Sequence, residues 1–261
     1  MENLVISKDL QMAQKVTQAL IDEVTFTPKP GLVDLRGNGS HSDMDVALFK
    51  RSAVTLEPYF QQMYQAGEKL PFNQLLREEI AAIGRSAEKA MLVTTNGVNT
   101  HKGAIWALGL IITTVAAFPS KSYLELLAKA GELATYPDRY FNGKQLTHGS
   151  LIKQKYFING AKEEAEAGFP HILLALIEYE KTRSFQRILL KLIATLDDTC
   201  IIYRGSLADL RRIQQLAQFN LAENRLADQA LENYFHEKRL SPGGSADLFA
   251  ASLFLIHLFD L

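Results

Sequence analysis

Apolar residues recur along most of the chain at intervals of three and four. Met12, Val16, Leu20 and Val24 form one series, and Leu75, Leu76, Ile80 and Ile83 form another. That spacing puts side chains on one face of an α-helix and predicts a helix over each stretch. Residues 121–134 carry Leu124, Leu127 and Ala128 on one predicted face. Ile188, Leu189, Leu192, Ile193 and Leu196 mark a helix that ends before Asp197. The stretch from Leu207 to Tyr234 repeats the pattern through Leu210, Ile213, Leu216, Ala217 and Leu221. Two segments, 104–118 and 246–259, are apolar nearly all round. Such helices belong at the centre of a bundle. Strand-like alternation is nearly absent, and its best stretch, CIIYRG at 200–205, is too short to found a sheet. The pattern predicts an all-α fold, a single-domain multi-helix bundle over residues 1–261. Central apolar helices form its core, and helix ends line a cleft.

Five polar, glycine-bearing stretches separate these helices: 27–45, 95–104, 160–170, 196–206 and 240–248. Each falls at a predicted helix end, and an all-α fold can gather such ends around one cleft.

Composition narrows the classes. The chain has 261 residues, 47% hydrophobic and 22% charged, as in soluble globular proteins. Its 28 basic and 29 acidic residues leave a net charge of −1, with no basic excess to recruit nucleic acid. Cys200 stands alone and can form neither an internal disulfide nor a thiolate metal cluster. The start, MENLVISKDLQMAQ, lacks the features of a secretory signal. The apolar runs fall short of the roughly 20 residues that a membrane helix needs. His257 interrupts the last of them and is expected as a hydrogen-bonded core histidine. A cytoplasmic location with no membrane and no nucleic-acid partner is expected. The apolar helices suit a core or a homodimer interface.

The polar stretches hold the candidate chemistry. Asp34, Asp43 and Asp45, with His41 among them, lie in a segment broken by Pro28, Pro30, Gly31, Gly37 and Gly39. Clustered carboxylates are the usual oxygen ligands of Mg²⁺, which bridges phosphates. The plain alternative is that Ser42 or Asp43 caps the next helix. In TNGVNTHKGA (95–104), Thr100 or Asn99 can cap a helix that begins near His101. A helix start carries roughly +0.5 of an elementary charge and free amides that bind phosphate. Lys102 would add a full charge, and Gly97 and Gly103 allow close backbone approach. In LSPGGSADL (240–248), Ser245 has the look of an N-cap and Asp247 of a first-turn acid that suits the dipole. The functional alternative is a second anion-binding helix start, or a carboxylate aimed into the cleft. Glu163, Glu164 and Glu166 stand near a helix end, as do Asp197 and Asp198. Acids there oppose the dipole, so a cation such as Arg204 or Mg²⁺ would help the aspartates. His148 and His171 are expected to be structural or exposed.

The order of these motifs adds what each lacks alone. PGLVD at 30–34, GSHSDM at 39–44, GVNTHKG at 97–103, EAEAGFP at 164–170, Asp198-Thr199 with Arg204-Gly205, and SPGGSAD at 241–247 form one series. It resembles the triphosphoribosyl-dephospho-CoA synthase family over about residues 10–260. The resemblance implies an all-helical transferase. It would take ATP and 3′-dephospho-CoA, release adenine, and join the triphosphoribosyl group to a ribose hydroxyl. The product would pass to an acyl carrier protein transferase of a citrate lyase or malonate decarboxylase system. Cys200 stands where the family usually has Asn, and Ser206 where it usually has Gly.

That reaction sorts the candidates. Asp43 and Asp198 are expected as Mg²⁺ ligands, with Asp34 as an alternate. Asn99, Thr100, Lys102, Gly103, Arg204 and the backbone of Gly243, Gly244 and Ser245 would hold phosphates. His41, His101 and Glu164 are the acid–base candidates. Two other readings compete: an all-α, Mg²⁺-dependent hydrolase of nucleotide or ADP-ribosyl glycosidic bonds, and a non-catalytic nucleotide-binding partner.

Overall fold

The computed structural model describes residues 6–140, 148–225 and 228–261. The described residues form thirteen helices. The first seven are α1 (Lys8–Thr25), α2 (Val46–Lys69), α3 (Gln74–Thr94), α4 (Lys102–Ala117), α5 (Tyr123–Thr135), α6 (His148–Tyr156) and α7 (Ala161–Glu166). The rest are α8 (Pro170–Thr182), α9 (Phe185–Thr195), α10 (Thr199–Arg204), α11 (Leu207–Ala222), α12 (Gln229–Lys238) and α13 (Gly243–Phe259). Among the described residues there is no strand, only an isolated bridge between Asp34 and Gly37. Nor is any described helix long and apolar enough to cross a membrane.

Short polar side chains set many of the helix starts, because the first amides of a helix have no partner within it. Asp45 accepts from the Leu48 N–H (2.7 Å) to open α2, and Asn73 accepts from Leu75 (2.9 Å) to open α3. The cap of α2 is therefore Asp45, not Ser42 or Asp43. Ser206 opens α11 by accepting from the Asp209 N–H (3.1 Å).

The all-round apolar segments become α4 and α13, which pack on each other at the centre. Around α4 stand α2, α3, α5 and α7; around α13 stand α1, α8, α9 and α10. Leu108, Ile111 and Ile112 of α4 and Phe249, Phe254 and Leu255 of α13 are fully enclosed. Their apolar surface is used inside the chain, so it is no argument for a dimer. Truncating one of them to Ala should cost ~2–5 kcal/mol. Gly67 lets α2 approach α4 closely: a Cβ there would sit 2.3 Å from the Thr113 carbonyl oxygen.

The structure departs from the periodicity in particular places. CIIYRG is the helix α10, started by Asp198, whose carboxylate accepts the Cys200 N–H at 2.9 Å. The 207–234 pattern is two helices, because α11 stops at Ala222 and α12 starts at Gln229. On α5 the buried face is Leu126, Leu127, Ala130, Leu133 and Ala134, while Leu124 and Ala128 face out. Leu75 of α3 is also exposed. His257 is no core residue; it is exposed, with Nδ1 4.0 Å from Asp22 Oδ2. The side chain of His148 lies outside the described residues.

Candidate active site

Four of the five polar stretches meet at one cleft of about 410 Å³. The stretches 27–45, 95–104, 196–206 and 240–248 all line it, together with Leu20 and Glu23 of α1. Its buried floor is rich in ionisable groups. Lys29 is 1% exposed and pairs with Glu23, 5% exposed. Burial pushes the Glu23 carboxyl up, and the Lys29 charge pulls it part of the way back. His101 is buried, with Nδ1 2.8 Å from Ser52 Oγ, which also meets Thr100 Oγ1 at 2.7 Å. The Phe49 ring packs against it in a T-shaped pair, with centroids 5.1 Å apart. His101 Nε2 has no hydrogen-bond partner among the described residues. Burial, then the Lys29 charge, brings the His101 pKa down to about 3.

Carboxyl groups of the protein itself occupy the helix starts at and behind the floor. Asp198 is 1% exposed and accepts from the Ser245 N–H (2.8 Å), the Ser245 hydroxyl (3.0 Å) and the Gly244 N–H (3.3 Å). It thus caps α13 and α10 together, and burial pushes its carboxyl up against those hydrogen bonds. Asp247 reaches the start of α4. A Cβ on Gly103 would lie 2.0 Å from Asp247 Oδ2, so only glycine leaves that carboxyl in place. Burial, then the charges of Asp198 and Glu23, push Asp247 well up, and the Ala104 N–H offsets only part of this.

The mouth is open. Asp43 and Arg204 are exposed, and Arg204 Nη2 reaches His41 Nδ1 at 3.1 Å. A guanidinium only donates, so His41 Nδ1 accepts and its Nε2–H donates to Ser241 Oγ at 2.9 Å. Burial, then the Arg204 charge, lowers the His41 pKa to about 4 despite Asp43 Oδ1 at 3.7 Å.

Comparison with known proteins bears on what this cleft does. The family described as "CitG: ATP:dephospho-CoA triphosphoribosyl transferase" matches residues 9–261. The chain belongs to this family. A probable 2-(5″-triphosphoribosyl)-3′-dephosphocoenzyme-A synthase of Pseudomonas fluorescens is 41% identical, over 94% of this chain and 90% of the relative. The 2-(5″-triphosphoribosyl)-3′-dephosphocoenzyme-A synthase of Klebsiella pneumoniae is 39% identical, over 94% and 93%. A probable synthase of the same name from Azotobacter vinelandii is 40% identical, over 95% and 91%. No solved structure matches the chain at a significant level.

For a triphosphoribosyl transferase the placement of each predicted residue is informative. Gly103, Asp198, Gly244 and Ser245 lie outside the lining of the cleft, whereas His41, Asp43, Asn99, Thr100, His101, Arg204 and Gly243 line it. Asp34 does not: its carboxylate is taken by the N–H groups of Lys29 and Arg36 (both 2.8 Å) and by Arg36 Nε (2.9 Å). Asn99 Oδ1 accepts the Lys102 N–H (3.1 Å), whereas the Lys102 ammonium pairs with Glu88 outside the cleft lining. Glu164 also lies outside it, bound to His171 Nδ1 at 2.7 Å. Burial alone would lower His171, but the Glu164 hydrogen bond and charge raise it. Asp197 pairs with Arg211 (2.6 Å) and not with Arg204. Of the two departures, Cys200 lines the cleft and Ser206 caps α11 away from it. Among the described residues, no three His, Cys, Asp or Glu side chains are grouped to hold a metal ion.

Glu23 and Lys29 escaped the sequence reading. Glu23 falls three residues after Leu20 on the apolar face of α1, and an acid in such a stripe needs a buried partner. That partner is Lys29, set between Pro28 and Pro30.

Proposed function

We propose that this cleft is where the triphosphoribosyl group of ATP passes to 3′-dephospho-CoA. That group is ATP without its base, so adenine leaves and the bond to C1′ breaks. The observation that carries this reading is the division of charge along the cleft. Exposed Arg204 and Asp43 stand at the mouth; Glu23, Lys29 and Asp247 stand at the floor.

The triphosphate belongs at the mouth. Arg204 suits it, because a guanidinium matches phosphate oxygens in a fork geometry. The His41–Ser241 contact holds Arg204 in position. The donor set there fits Mg²⁺ that arrives on ATP. Such an ion keeps several waters and needs one or two protein carboxylates, and Asp43 is exposed where Asp34 and Asp198 are already saturated. When bound, the ion neutralises triphosphate charge.

The ribose belongs at the floor. Departure of the base leaves an oxocarbenium-like sugar, and the Glu23 carboxylate can offset that charge. His41 and His101 are held neutral, so they hydrogen-bond as imidazoles and bring no imidazolium proton to the leaving base. A nucleotide atom fits the unpartnered His101 Nε2. The product then goes to an acyl carrier protein transferase, in a citrate lyase or malonate decarboxylase system.

Purified protein with ATP, Mg²⁺ and 3′-dephospho-CoA should give adenine and an equimolar product, heavier than dephospho-CoA by one triphosphoribosyl group in mass spectrometry. Release of phosphate with adenine retained would overturn this. Adenine formed as fast without dephospho-CoA would mean a glycosidic hydrolase instead.

A further inference from the structure

Adenine is a poor leaving group as an anion, so its departure from C1′ calls for a proton on the ring. The imidazoles of the cleft are neutral and Glu164 lies outside it, which leaves the donor unassigned. We infer that Asp247 is the general acid that protonates adenine as it leaves. This rests on the reading of the cleft as the transferase site.

The geometry supports it in three ways. Asp247 lines the cleft and is a half-buried residue, so it stands beside any base bound there. Among the described residues, neither it nor Asp198 has a cation beside it, since Lys29 is committed to Glu23; Asp198 is held by the N–H groups of Cys200, Gly244 and Ser245, whereas Asp247 has the N–H of Ala104. The titratable groups that face it are Glu23 from α1, and Asp198 and Cys200 from the start of α10. Two are carboxyls, and like charges in one enclosed space keep one of them protonated. Finally, Gly103 leaves the room that Oδ2 occupies. The unpartnered Nε2 of His101, on the same cleft, independently marks a place for a ligand atom.

The step balances. The C1′–N9 bond breaks and its electron pair stays on adenine, whose N7 takes the proton from the Asp247 carboxyl. C1′ forms its new bond to the ribose hydroxyl oxygen of dephospho-CoA. That hydroxyl proton goes to Glu23 and returns to Asp247, so no net proton is gained or lost.

The test uses the full chain with Mg²⁺ and dephospho-CoA and compares ATP with 7-methyl-ATP, whose cationic base leaves without a proton. Wild-type protein should use 7-methyl-ATP at a kcat no lower than that for ATP. Its kcat for ATP alone should fall tenfold per pH unit above the pKa of the acid. Asp247→Asn should lose roughly 1000-fold in kcat on ATP and under about fivefold on 7-methyl-ATP. Equal losses on both nucleotides would overturn the assignment. So would a wild-type kcat on 7-methyl-ATP tenfold below that on ATP, a result that needs no variant to fold. Neither outcome touches the transferase reading, which fails only if wild-type protein yields no adenine and adduct from ATP.

Discussion

Glu23 and Lys29 at the floor of the cleft, and Asp198 behind it, are within 5% of complete burial, and each is tied to named partners. At the mouth, Asp43, Tyr203 and Arg204 are open to water. A buried charge must have a partner or lose its proton balance, so the floor is fixed before substrate arrives. Exposed charges are screened, and among the described residues Asp43 and Arg204 are tied to the protein through His41 at one edge only, so the mouth can adapt to a flexible triphosphate. The same residue types thus do different work: a stiff environment for breaking one bond, and a forgiving one for holding phosphates.

The sharpest way to break this contrast is Lys29→Met. It strands Glu23 in the floor and should cost ~3–5 kcal/mol of stability in urea unfolding. Adding Glu23→Gln to it should restore much of the loss. A small single-variant effect would mean that the floor is wetter than its geometry. Next is Arg204→Ala at the mouth. It should raise KM for ATP by ~10–100-fold, the worth of a charge-assisted hydrogen bond, with stability changed by less than about 1 kcal/mol. A stability loss as large as that of Lys29→Met would erase the distinction.

Acid gives a third test. His101 has a native pKa of about 3 against the ordinary 6.5, so below pH 6.5 the unfolded chain binds the proton that the native state refuses. Its contribution is intact above pH 6.5 and lost as pH falls, at roughly 1.4 kcal/mol per unit. The raised carboxyls of Glu23, Asp198 and Asp247 pull the other way. The imidazole's share is therefore read as the difference in urea midpoint between wild type and His101→Gln across pH 7 to 5. An unchanged difference would show that His101 is hydrated in the native state. The smallest effect belongs to Lys102→Ala. Its ammonium pairs with Glu88 outside the cleft lining, so kcat/KM should change by less than about threefold, as an exposed ion pair allows. A loss of 100-fold would place Lys102 on the triphosphate after all.

Much of this protein was legible from periodicity. The stripes of α1, α3 and α9 and the all-round apolar α4 and α13 follow from the 3.6-residue turn, which is a local property. The four stretches that meet at the cleft were found by their glycines and polar residues, and their order carried the family resemblance. The helix position of Lys102 follows from its own stretch, but the pairing of its ammonium with Glu88 on α3 does not. Asp198 was read as an acid opposing the end of one helix, and it caps the start of two others.

The sequence alone determined the all-helical class, the strongly periodic helices, and which segments could meet as polar helix ends. Tertiary structure decided which acidic side chains sit on those ends. Asp198 and Ser245 are 47 residues apart in the chain, and Asp247 meets Gly103 across a still longer interval. Helix propensity and capping act over a turn or two, whereas the partner of a buried charge is chosen by packing. That is why the helix starts could be predicted as anion sites, and why only the folded chain shows that two of its own carboxyl groups already fill them.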